Sequence, residues 1–121
     1  MDLSQSEELF HGLGQFAQER MGFKKPPALN LTSDNENATK SLGRTAYYDP
    51  QGMSVTIYTD GRHTKDILRS LAHELVHHMQ NLDNRLNPKS GEDGSPEENE
   101  ANALAAVIMR QYGRENSHIY E

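Results

Sequence analysis

Between Thr64 and Leu82, apolar side chains recur at Ile67, Leu68, Leu71, Leu75, Met79 and Leu82, the spacing of one face of an α-helix. At about 100° per residue, the opposite face carries Asp66, Ser70, His73, His77 and Gln80. A helix that needed only to be wetted on that side would fill it with Lys and Glu; this one offers imidazoles. His73-Glu74-Leu75-Val76-His77 reads His-Glu-x-x-His. Residues i and i+4 of a helix have Cβ atoms roughly 5–6 Å apart, which lets both rings reach one Zn²⁺ at about 2.0–2.1 Å per bond. Glu74 then lies beside the open coordination position, where a carboxylate can take a proton from bound water. Shuffling a chain with 6 His and 11 Glu produces the pattern roughly 0.03 times, so chance explains it poorly. His78 falls at the edge of the apolar face and reads as a packing or surface histidine.

With 121 residues the chain makes one domain with one modest core. Its net charge of −6 and the lack of a Lys/Arg stripe argue against nucleic acid as a partner. There is no cysteine, so any zinc must be held by His and carboxylate. No stretch approaches the 18 or so apolar residues of a membrane span, and no basic region precedes an apolar run at the N-terminus. The expected location is the cytoplasm, without membrane contact. Oligomeric state is left open.

Ser4–Met21 reads as an amphipathic helix with Leu9, Phe10, Leu13, Phe16 and Ala17 as its stripe, weakened at Gly12 and Gly14, with His11 on the surface. Ala28–Leu31 reads as a short strand and Thr32–Lys40 as a polar loop. A β-hairpin follows. Arg44–Tyr48 and Met53–Tyr58 are its arms, Asp49–Gly52 its turn, Pro50 presets φ, and Gly52 is expected to supply a positive φ. His63, before the motif helix, is an exposed loop residue or an extra polar group at the site. Asp83–Pro96 is a long loop. The last helix begins at Ser95-Pro96, buries Ala101, Leu104, Ala105, Ile108 and Tyr112, and is expected to stop at Gly113. The fold class is α+β.

A catalytic zinc usually has three protein ligands and a water. Glu97, Glu98 and Glu100 open the last helix. Taking Ala101 as core-facing, Glu97 lies about 40° to one side, Glu98 about 60° to the other and Glu100 about 100° away. Periodicity favours Glu97 or Glu98 without separating them. Ser95-x-x-Glu98 also fits a capping box, which would employ Glu98 without any metal.

His73–His77 followed by Glu98-Asn99-Glu100-Ala101-Asn102 resembles the gluzincin metallopeptidases, the small ImmA/IrrE-like proteins and minigluzincins above all. The resemblance covers Ile67–Leu82 and Glu97–Ile108 and extends loosely to the hairpin. It implies a small zincin-like domain: N-terminal helix, short sheet, His-Glu-x-x-His helix and ligand-bearing C-terminal helix. It also implies zinc on His73, His77 and Glu98, with Glu74 as general base in peptide-bond hydrolysis. Asn102 stands where the group often has an aspartate that orients a ligand imidazole. The Met53–Tyr58 strand, through Ser54, Val55 and Thr56, would form the rim to which a peptide or protein substrate adds. Tyr47, Tyr48, His63, His118 and Tyr120 are all candidates to stabilise the oxyanion. A zinc-binding regulatory or sensor module with little proteolysis is the alternative, and a metal-free interaction domain a third reading.

Overall fold

The structure, a computed structural model, describes residues 3–32, 45–90, 92 and 94–116. The helix α1 (Leu3–Met21) is followed by the strands β1 (Ala28–Thr32), β2 (Ala46–Asp49) and β3 (Ser54–Tyr58), then α2 (Thr64–Leu82) and α3 (Pro96–Glu115). This is the expected α+β class. Most of the polar run from Thr32 to Lys40, together with His118 and Tyr120, lies outside the described residues. No helix among the described residues is long and apolar enough to cross a membrane.

The centre of the molecule is α2, whose apolar face buries Ile67, Leu68, Leu71 and Leu75 and packs on α1, α3, β2 and β3. From α1, Leu9, Phe10, Leu13 and Ala17 complete the core; Val55 and Ile57 of β3, and Ala105, Ile108 and Met109 of α3, do the same. Burying one such aliphatic side chain is worth about 1.5–3 kcal/mol. Gly22, at φ 77°, ends α1 by donating to Gln18 C=O. Asn84, at φ 58°, does the same for α2.

The sheet corrects one expectation that matters for the site. Its strand order is β1-β3-β2, with β3 parallel to β1 and antiparallel to β2. Ser54 pairs with Ala28 and Asp49, Val55 with Leu29 and Tyr48, and Thr56 with Asn30 and Tyr47. Both ladders of β3 are occupied, so Ser54, Val55 and Thr56 cannot receive a further strand. Among the described residues, the edge strand on the α2 side is β2.

The hairpin turn is where expected, but its backbone differs. Met53, not Gly52, takes the positive φ, at 50°. Asp49 folds back to accept from Gln51 N–H at 3.0 Å. A Cβ on Gly52 would meet Asp49 Oδ2 at 2.7 Å, so any larger residue there would displace the carboxylate that caps the turn. Likewise Gly113 does not end α3, which continues to Glu115 and is capped by Asn116. Gly113 is buried, and packing outweighs its poor helix propensity. Leu104 is only half-buried, and Met109 takes its expected place in the core.

Candidate metal centre

Glu98 is brought to the two histidines by its cap. Ser95 Oγ accepts from Glu98 N–H at 3.1 Å and donates to Ser90 C=O at 2.7 Å, fixing the first turn of α3. The reciprocal half of the capping box does not form, because Ser95 N–H donates to Glu92 C=O instead. The Glu98 carboxylate is released to face α2. Its Oε1 lies 2.6 Å from His73 Nε2, and its Oε2 lies 3.1 Å from His77 Nε2. Ligand atoms from His73, His77 and Glu98 all fall within 4.8 Å of one another. The other two carboxylates are engaged elsewhere. Glu97 accepts from Asn87 at 3.2 Å, while Glu100 accepts from Gln80 and Arg85. The Gln80 hydrogen bond, aided by Arg85, holds Glu100 below the usual carboxylate range.

Gln80 decides how His77 is used. Its Nε2 donates to Glu97 C=O at 2.9 Å and to Glu100 Oε1 at 2.8 Å, which orients the amide. Its Oε1 therefore accepts from His77 Nδ1–H at 2.8 Å. A neutral ring with its proton on Nδ1 turns the Nε2 lone pair toward Glu98 Oε2. Two acceptors then face each other at 3.1 Å, an arrangement that requires either a ring proton or a cation between them. Asn102 forms a hydrogen bond with His73 that favours the charged ring, as an amide oxygen accepting an imidazole N–H does. Burial outweighs this and, with Glu98 and His77 acting in opposite senses, leaves the His73 pKa below its ordinary value.

The donor set is the nitrogen, nitrogen and oxygen that zinc takes. Tetrahedral bonds of about 2.0–2.1 Å hold neighbouring ligand atoms about 3.3 Å apart, so the carboxylate would have to withdraw by less than about 1 Å to admit an ion. The residues fit a divalent metal.

Glu74 is buried beside the ligands at 8% exposure. Loss of hydration raises its pKa to about 7, with His77 pulling it down and Glu98 pushing it up. Two cavities of about 430 and 360 Å³ share Ala46, His73, Glu74 and Glu98, so the centre lies on the floor of a cleft. The first extends over Arg69, Ser70 and Asn102; the second extends over Tyr47, Tyr48, Pro50 and Leu86. One wall is β2.

The remaining candidates separate clearly. His78 is fully buried and donates from Nε2 to Lys25 C=O at 2.5 Å, so its Nδ1 accepts from Tyr48 OH at 2.7 Å. Asn81 donates to the same phenol at 3.0 Å. Tyr48 is thus occupied in structure. His63 is exposed and caps α2, its Nδ1 accepting from Lys65 N–H at 3.0 Å, and it lines neither cavity. Tyr47 remains in the cleft, and His11 is exposed as expected. Sequence reasoning missed Gln80 as a partner of His77, although its position three residues on, on the imidazole face, was a usable signal. It also missed Arg62, whose guanidinium donates to Thr45 C=O, Tyr58 C=O, Asp66 C=O and Ser70 Oγ. That staple fixes the start of β2 to α2.

A scan of protein-family models, a search of curated proteins and a search of solved structures each return no match.

Proposed function

We propose that this chain is a zinc-dependent metallopeptidase of the gluzincin kind. The carrying observation is the facing pair of acceptors, His77 Nε2 and Glu98 Oε2, held by Gln80 and the Ser95 cap with His73 alongside. A divalent cation satisfies such a pair where a ring proton otherwise must, and a site built only for structure has no use for a buried Glu74 in an open cleft. His73, His77 and Glu98 would hold the ion. When bound, zinc polarises the scissile carbonyl and acidifies a water molecule.

Glu74 moves the proton. Its carboxylate takes one from the attacking water and passes it to the departing amine, a task suited to a group whose own pKa lies near neutrality. Asn102 and Gln80 hold the two rings. A peptide lies along β2, the edge strand, and is bound by main-chain hydrogen bonds. Among the described residues, Tyr47 is the candidate that lines the cleft and would face the tetrahedral oxyanion.

The test is hydrolysis of casein and a peptide pool by the zinc-loaded protein, with a chelator control, beside Glu74→Gln. The variant should retain one zinc per chain while hydrolysis falls about 10²–10⁴-fold. Undiminished hydrolysis by Glu74→Gln would remove the base from the mechanism, and a wild-type protein that binds no zinc would end the proposal.

A further inference from the structure

The cleft is not symmetric about the metal centre. The larger cavity is lined by Arg69, Ser70 and Asn102 on the side away from Tyr48 and Pro50. Arg69 lies four residues before His73, one turn of α2 along the same face. Among the described residues no ion pair or hydrogen bond engages its guanidinium. Asn102, on α3, lines the same cavity. With its amide oxygen turned to His73, the NH₂ of Asn102 keeps donors for another acceptor. An amide at that position also does not repel an anion, as a carboxylate would. The two helices therefore present an unpaired cation and a neutral donor to one end of the cleft.

We infer that this end of the cleft recognises a substrate carboxylate, bound by Arg69 with Asn102 assisting. The inference rests on the peptidase reading and adds a specificity to it. Four residues of helix rise about 6 Å, close to two residues of extended peptide. The carboxylate thus belongs within about two residues of the scissile bond. Antiparallel pairing is the more stable arrangement along an edge. A peptide so paired with β2 runs toward Ala46 as it goes from N- to C-terminus, so the carboxylate lies on the leaving-amine side. It is either the free C-terminus of a short product or the side chain of Asp or Glu. Arg69 acts there as a specificity residue, binding the carboxylate with charge-assisted hydrogen bonds.

Four hydroxamate-headed leucyl peptides distinguish these sources, since the hydroxamate seats on zinc and the chain runs on C-terminally. They end in alanine carboxylate, alanine amide, glutamic acid with its α-carboxyl amidated, and glutamine amide. Affinity is measured for the zinc-loaded wild type and for Arg69→Gln, a surface change. Either the free alanine carboxylate or the Glu side chain should bind about tenfold more tightly than its neutral counterpart. Arg69→Gln should erase that gap and leave the neutral probes unchanged. Equal binding of charged and neutral probes, or a gap that survives Arg69→Gln, overturns the inference while leaving the metal centre intact. No binding by any probe overturns both.

Discussion

Gln80 joins two parts of the protein with one amide. Its oxygen fixes the proton of His77 on Nδ1, and its nitrogen holds the backbone of Glu97 and the side chain of Glu100. Replacing such a partner of a metal ligand typically costs 10–100-fold in affinity. Gln80→Leu should therefore weaken zinc binding by about 10–100-fold, read by competition with a chromophoric chelator. Gln80→Glu, made together with Glu100→Gln so that two carboxylates do not face each other, supplies an acceptor for the same ring nitrogen and should bind zinc more tightly than Gln80→Leu with Glu100→Gln. If the two variants bind zinc equally, the ring is not oriented through this bond. The sequence made His73, Glu74 and His77 legible because their relation is local, set by one helical turn. Gln80 was visible only as a polar residue on the right face. Its partners come from α3, seventeen to twenty residues away in the chain. Glu98 was narrowed by periodicity and chosen by resemblance. The half-formed capping box shows why pattern alone was insufficient: the backbone of the cap is satisfied whether or not the carboxylate turns back.

Among the elements, α2 was legible to its ends because amphipathic period and length agree, although neither the His63 cap nor the positive φ of Asn84 was read from the sequence. The sheet was legible strand by strand but not in its order. Alternation buries Val55 and Ile57 correctly, yet nothing in that pattern reveals that β1 pairs on the other side of β3. Strand neighbours depend on contacts distant in sequence, and here the neighbour decides which strand can accept a peptide. Gly12 illustrates the same point for helices. By propensity it weakens α1, and alanine should help by about 1 kcal/mol. In the fold, a Cβ there would meet Tyr112 Oη at 2.5 Å, while that hydroxyl donates to Leu9 C=O. The ring is buried against Phe16 and has little room to retreat. Gly12→Ala should therefore destabilise the protein by roughly 1–2 kcal/mol in urea unfolding. In a Tyr112→Phe background, where the obstructing oxygen is gone, the same change should be neutral or stabilising. A penalty that persists without the hydroxyl would place the cause elsewhere.

At the scale of the whole molecule, the candidate metal centre, His73, His77 and Glu98, is the joint between α2 and the first turn of α3. The later part of α3 is secured by Ala101, Ala105, Ile108, Met109 and Tyr112, all buried. Its first turn is held by polar bonds instead, the Ser95 cap, the Gln80 bond to Glu97 C=O and the Asn87 bond to the Glu97 carboxylate, with Glu97 and Glu98 half-buried. A ligand that binds only the folded state stabilises it by about 2.7 kcal/mol at a hundred times its Kd. For a chain of this length that is a rise in melting temperature of roughly 10 °C. The gain should be unevenly distributed. Zinc should slow hydrogen exchange most at the amides of residues 98–102, and far less at the centre of α2, where Leu68, Leu71 and Leu75 already bury the helix. Glu98→Ala should abolish both the thermal shift and the local protection without loss of the α2 core. A zinc-induced rise that survives Glu98→Ala, or protection spread evenly over all three helices, would mean that the ion binds somewhere other than between these two helices.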